Sequence, residues 1–348
     1  MIEQTSIESP KGVITLYTLT NKSGASVTLS TLGAGIVKVI VPDRNGKLDD
    51  VVLGYADPKD YFYDGPCAGK VPGRYANRIA RGHFSIDGEE YTLAINNGPN
   101  ALHGGPEGFQ NRIWTGHTDG NSVVMDYRSA DGEEGYPGDL LARATYTWSD
   151  DNKLTLKLHA EVEGKPTVVN LTNHAYWNLD GEGAGSALDH VLKIKASHYL
   201  PTDETLIPTG EIAPVAGTPM DFTEPKPFGK DMGEDFPALR YGKGYDNCWM
   251  VDDYEKGKLQ EVAVLTSPKS GRVLTVETTQ PAAQVYGGNW LAGSPVNKSG
   301  RSMNDYDGIA IECQHTPDAP NQPQLPSTLL RPGESLDETI VFGFSTIA

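Results

Sequence analysis

Gly82-His83-Phe84-Ser85-Ile86-Asp87-Gly88-Glu89-Glu90-Tyr91-Thr92-Leu93 is the stretch whose reading decides the fold class. Two short runs flank Asp87-Gly88, a dipeptide suited to the positive φ of a tight hairpin turn. The same punctuation recurs outward in both directions. Val13 to Leu19, Ser26 to Leu32, Ile36 to Val41, Val123 to Tyr127 and Leu154 to Val162 read as strands, alternating or apolar and bounded by turn residues. So do Val168 to Trp177, Arg272 to Thr278, Ala282 to Tyr286, Ile309 to Cys313 and Thr339 to Phe344. Ser149-Asp150-Asp151-Asn152 marks a second hairpin turn. Asp57-Pro58-Lys59-Asp60 caps at most one helical turn, with proline well placed just inside the start. No long window shows a 3.6-residue period. Strands without interleaved helices predict an all-β sandwich or barrel, not a βαβ sheet.

The chain has 348 residues, enough for one large β domain or two ordinary ones. No composition break or fixed-period repeat divides it, so a single domain over 1–348 is expected. The run from Pro317 to Pro332 carries Leu325, Leu329 and Leu330 and predicts an ordered loop lying on a core. There are 39 glycines and 24 prolines, above the usual combined share of roughly 12%, which suits many turns between short strands. A net charge of -17 argues against nucleic acid or an anionic membrane as partner. It favours a neutral substrate only weakly, since acidity also serves plain solubility. Cys67, Cys248 and Cys313 are scattered and odd in number, which points to a reducing compartment and against a cysteine zinc site. Neither a Sec signal peptide nor a run of ~20 apolar residues is visible. A cytoplasmic protein is expected.

Two segments carry residues suited to chemistry. If Thr167 to Asn178 is a strand, Val169, Leu171, Asn173, Ala175 and Trp177 share one face, and Asn170, Thr172, His174 and Tyr176 share the other. That polar face fits a pocket wall, or simply a solvated surface. In Gly308 to Gln314, Ile309, Ile311 and Cys313 fall on one side and Ala310, Glu312 and Gln314 on the other. A carboxylate among apolar strand residues is partly desolvated, which raises its base strength. The alternative is an edge-strand Glu in water. Three loops are rich in polar groups: Asn100-Ala101-Leu102-His103-Gly104-Gly105, Gly73 to Ile79 with Arg74, Asn77 and Arg78, and Gly244-Tyr245-Asp246-Asn247 beside Trp249. Each alone reads equally well as a turn.

In order along the chain, GRYANRI (73–79), NALHGG (100–105), NHAYWNL (173–179), GYDN (244–247), QVYGGN (284–289) and ECQHTPDAPNQP (312–323) followed by STLLRPGE (327–334) resemble the aldose 1-epimerase family, also called galactose mutarotases. The resemblance implies a large two-sheet β-supersandwich of the galactose mutarotase kind, with the sugar in an open cleft on a sheet face. It places the family's general base on Glu312 and its general acid on His174. Substrate-binding positions fall on Asn77, Arg78, His103, Tyr176, Asp246 and Gln284, and Trp249 or Tyr176 offers a ring face or edge. Cys313 stands where threonine is common, Trp177 where Phe often appears, and Asn247 where a histidine is common. The last leaves sugar preference open.

The implied chemistry accounts for the residue types. Opening a hemiacetal removes a proton from the C1 hydroxyl and delivers one to the ring oxygen, and a carboxylate with an imidazolium does both. No metal, cofactor or covalent adduct is required. Facing each other across the sugar, the two charges are expected to stabilise one another, lowering the Glu312 pKa and raising that of His174. The implied partner is a free monosaccharide, and the chain a monomer or weak homodimer. Rival readings are a hexose-phosphate 1-epimerase using Arg74, Arg78 and Arg81, and a non-catalytic sugar-binding module. A glycosidase pairing Glu312 with Asp246 and a zinc hydrolase on His103, His174 and Glu312 are weaker.

Overall fold

The computed structural model describes residues 1–347, and they form an all-β structure. A nine-stranded sheet runs Thr115–Asp119, Ser122–Ser129, Asp139–Trp148, Lys153–Glu163, Ser335–Thr346, Arg272–Thr278, Gln260–Thr266, Val191–Ile194 and Lys226–Pro227. A six-stranded sheet runs Tyr176–Trp177, Ile309–Gln314, Ala282–Tyr286, Asp246–Met250, His198–Leu200 and Ala213–Pro214. The two pack face to face: Trp177 of the smaller sheet lies 5.1 Å from Phe342 and 5.4 Å from Phe344 of the larger, ring centre to ring centre. One buried cluster runs through this interface and takes in Leu29 and Val39 from an N-terminal five-stranded sheet. The two-sheet expectation therefore holds, with that N-terminal sheet added to it.

The local signals explain the turns. Asp87 and Gly88 adopt φ of 52° and 86° between His83–Ile86 and Glu89–Thr92, the backbone of a type I′ hairpin whose twist matches its strands. Ser149 to Asn152 joins Asp139–Trp148 to Lys153–Glu163. Asp57 accepts from the Lys59 amide at 2.9 Å and caps a single 3₁₀ turn, Pro58–Tyr61. Among the described residues the only α-helix is Pro237–Gly242. No helix of the described residues is long and apolar enough to cross a membrane.

Two strand readings need correction. Asp139–Trp148 and Gln260–Thr266 belong to the large sheet although their pattern did not stand out. The inward positions of the first include Ala142 and Ala144, too small to give a strong alternation signal. Val168 to Trp177 is not one strand: only Thr167–Val168 and Tyr176–Trp177 pair in ladders. Between them the backbone is held by other groups. The Ala76 amide donates to Asn170 O, the Asn170 amide to Arg74 O, and the His174 amide to Lys70 O. Gln280 Nε2 donates to Leu171 O, and Thr172 Oγ1 to Cys313 O. Period-2 alternation survives without the ladder, since Val169, Leu171, Ala175 and Trp177 enter the core. An extended chain alternates its side chains whichever groups take up its hydrogen bonds.

Candidate active site

The face of the small sheet turned away from the large one carries the site. In register, Tyr176 pairs with Ala310, Ala310 with Tyr286, and Tyr286 with Asp246. The next rung pairs Glu312 with Gln284 and Gln284 with Cys248. Directly opposed residues share a face, so Glu312, Asp246, Tyr176 and Tyr286 all rise from one floor. The intervening Ile309, Ile311, Cys313 and Val285 go into the core. Above that floor is a cavity of about 520 Å³ lined by Asn77, Arg78, His103, His174, Tyr176, Asp246 and Glu312, with Tyr286 and Trp290.

Loops from elsewhere complete the wall. Asn77 and His103 both adopt left-handed backbone, φ 66° and 51°, and clasp each other. The His103 amide donates to Asn77 O at 3.0 Å, and the Asn77 amide donates to His103 Nδ1 at 3.0 Å. Because Nδ1 accepts, the neutral ring carries its proton on Nε2, a donor for a ligand hydroxyl. Burial and the neighbouring His174 ring hold the His103 pKa well below the usual imidazole value. Gly104 follows with φ 77°, and a Cβ there would run into Gly73 O. We expect Gly104→Ala to displace the His103 loop, raising the sugar KM and lowering Tm. Wild-type values for both would show that the close approach is not needed.

Arg78 stretches across the floor, with Nε donating to Asn97 Oδ1 at 3.0 Å and Nη2 lying 3.7 Å from Asp246 Oδ2. The proline-rich loop fixes its backbone, since the Asp318 amide donates to Arg78 O at 2.8 Å. That loop is ordered, with Leu325 and Leu330 buried. Gln284 does not line the cavity. It stands behind, donating Nε2 to Asp246 Oδ1 at 2.8 Å, which orients that carboxylate.

His174 Nε2 lies 3.3 Å from Glu312 Oε1, with side chains 5% and 2% exposed. His174 Nδ1 and Glu312 Oε2 find no hydrogen-bond partner in the chain, and since buried polar atoms are normally paired, a ligand in the cavity would account for the gap. Both groups are pushed opposite to what mutual attraction was expected to do, and Glu312 moves in the direction its apolar strand neighbours implied. Burial first, then Asp246, raises Glu312 well above the usual carboxylate range, against a smaller opposing pull from Arg78. Burial lowers His174 to about 4. Each group has lost its water, and in a dry site the neutral forms win over mutual attraction. Glu312 is no edge-strand carboxylate: its strand runs between two others.

Trp249 is not a pocket residue. Alternation along Asp246–Met250 turns Asp246 and Cys248 to the cavity side, while Trp249 enters the core and donates its indole N–H to Met220 O. Asn247 faces the same way as Trp249, opposite Val285, so it does not reach the cavity. Sequence reading passed over Tyr286, Asn97, Tyr241, Trp290 and the Glu204–Leu206 segment. For Tyr286 a signal existed, since it lies two residues beyond Gln284 on the same face. Trp290, 66% exposed at the rim, and Glu204 to Leu206 arrive from loops with no local pattern. Among the described residues no group of three or more His, Cys, Asp or Glu is placed to hold a metal ion.

Comparisons with known proteins bear on the family and the fold. The family model described as aldose 1-epimerase matches residues 15–343. The chain is 45% identical over 320 residues to galactose mutarotase of Sus scrofa, covering 92% of this chain and 91% of the relative. It is 38% identical to aldose 1-epimerase of Escherichia coli K12, covering 99% of both. Among solved structures, an aldose epimerase homologue from C. elegans superposes with TM-score 0.88 at 33% identity, covering 99% of this chain and 100% of that one. A galactose 1-epimerase from Lactobacillus acidophilus superposes with TM-score 0.85 at 28% identity over the full length of both. With a match of this extent, and with the all-β two-sheet fold beneath it, the chain belongs to the aldose 1-epimerase family.

Proposed function

We propose that this chain interconverts the α and β anomers of a free aldose such as galactose or glucose, with Glu312 as general base and His174 as general acid. The observation that carries the reading is the 3.3 Å approach of two almost fully buried groups on the cavity wall, each with an atom unpartnered in the chain. Glu312 takes the proton from the C1 hydroxyl while His174 gives one to the ring oxygen. The ring C–O bond breaks, C1 becomes an aldehyde, rotation about C1–C2 turns its other face, and the steps reverse. Arg78, Asp246, Asn77 and His103 hold ring hydroxyls, Tyr176 supplies an apolar edge, and Gln284 orients Asp246. One core cluster reaching from Tyr17 to Phe344 supports reading the chain as one domain.

A neutral sugar suits the cavity better than a sugar phosphate. Of the three arginines that a phosphate site would recruit, only Arg78 lines the cavity. Arg74 is buried and spends its guanidinium on Ser129, Pro137, Gly138 and Thr167. Of the other lining residues, Glu204 and Asp246 are acidic and repel an anion. Polarimetry of freshly dissolved α-galactose, α-glucose, arabinose and xylose tests the proposal. Enzyme that leaves the spontaneous rate of all four unchanged sinks it.

Catalysis needs one proton on the Glu312–His174 pair, and that proton changes ends at each half-reaction. A bell-shaped pH dependence of kcat/KM is therefore expected. The acidic limb falls near His174's value of about 4, where the pair takes a second proton. The basic limb lies above the usual carboxylate range, where the raised Glu312 loses the last one. Asp246→Asn removes a negative neighbour of Glu312 and should move the basic limb to lower pH. Arg78→Ala removes a positive one and should move it higher. Limbs that stay fixed in both variants would detach the bell from this pair.

A further inference from the structure

Next to His174 sit two charges that the relay does not use. Lys70 Nζ lies 2.5 Å from Asp64 Oδ1, with side chains 1% and 0% exposed. Their other hydrogen-bonding capacity is largely taken up: Asp64 Oδ2 accepts from Tyr55 OH and the Ala68 amide, both at 2.8 Å. Lys70 also donates to Tyr61 O and to Asn111 Oδ1. The pair closes the loop from Asp64 to Lys70, whose apex, Gly65 and Pro66, lines the cavity. Its end grips His174 through the backbone, with the Gly69 amide donating to His174 O and the His174 amide to Lys70 O, each at 2.9 Å. Pro66 O accepts from Tyr176 OH at 2.8 Å, and Gly69 O accepts from Asn173 Nδ2 at 2.8 Å.

Loop closure alone does not call for charge. Apolar side chains of similar volume usually hold a buried contact as well as an ion pair does, because the pair gives up so much hydration. Glu312 lies 3.3 Å from His174 and the rings of Tyr176, His103 and Tyr286 at 5.0, 5.3 and 6.4 Å, while the Asp64–Lys70 pair, joined to its backbone through Lys70 O, acts on it through charge. We propose that Asp64 and Lys70 are positioning residues for the general acid: their ion pair closes the loop that holds His174 against Glu312, and keeps two opposite charges beside the imidazole in balance. Asp64 favours the protonated ring and Lys70 opposes it. Loss of either partner therefore does more than loosen the loop, since it leaves an uncancelled field on the proton that His174 must deliver.

The proposal rests on His174 acting as the acid, and the test separates the two ideas. Polarimetric kcat and KM are measured against pH for Lys70→Met, Asp64→Asn, their double variant and Lys70→Arg, with His174→Asn alongside. In Lys70→Met the acidic limb of kcat/KM should move to higher pH, and in Asp64→Asn to lower pH. The double variant should return the limb to its wild-type place with kcat about tenfold lower and KM little changed, the mark of lost alignment. Lys70→Arg keeps the charge and should hold the limb. Limbs that stay put, or move the same way in both single variants, overturn the proposal and leave the pair merely structural. Should the single variants not fold, the double variant decides, and wild-type turnover in it refutes the role. An active His174→Asn would instead refute the relay itself.

Discussion

Glu312→Gln should lower kcat by ~10²–10⁴, the range credited to a positioned acid–base group, while sugar affinity stays within a few-fold. Glutamine has the same length and still meets a hydroxyl, but its amide cannot take the C1 proton. The same change should stabilise the folded protein at neutral pH. Glu312 is buried with its pKa raised. A group raised in the folded state lends stability below its unfolded pKa, and that stability is lost as pH rises through the folded value. The Tm difference between Glu312→Gln and wild type should therefore be small at acid pH and grow in the variant's favour above the usual carboxylate range. Slower turnover with higher Tm is the signature of a carboxylate placed for chemistry at the expense of stability. A variant that keeps more than about a tenth of wild-type turnover would remove Glu312 from the role.

His174→Asn should cost about as much, ~10²–10⁴ in kcat, because no other group in contact with Glu312 can protonate the ring oxygen. His103 is the neighbouring imidazole, its ring centre 5.3 Å from that of His174, but it is His174 that stands within 3.3 Å of Glu312. The decisive measurement is the double variant Glu312→Gln/His174→Asn. A relay fails once either end is missing, so the double should be little slower than the worse single. Losses that multiply would show two independent contributions, and the concerted pair would have to be abandoned.

How much of this was legible in one dimension differs residue by residue. Asp87-Gly88 announced its hairpin because the conformation it needs is a property of those two residues. Glu312 could be placed opposite Ile311 and Cys313 by counting in twos, and its strand indeed turns it to the cavity. The same counting, carried along Asp246 to Trp249, would have put Trp249 in the core. Asp246 was read instead as the end of a turn, which hid the parity.

The sequence by itself determined the all-β class and the family, and it singled out seven residues that line the cavity, His174 among them, together with Gln284 behind it, because alternation and turn chemistry are local and the motif strings are long. The reach of His174 to Glu312, however, depends on more than its own segment. Only the tertiary structure decided how it is held, by backbone bonds from the loop that Asp64 and Lys70 close, more than a hundred positions earlier in the chain. Only the fold, too, decided the charge balance of the pair. Mutual attraction is a matter of two residue types, whereas the loss of water that outweighs it depends on every neighbour the packed sheets bring around them.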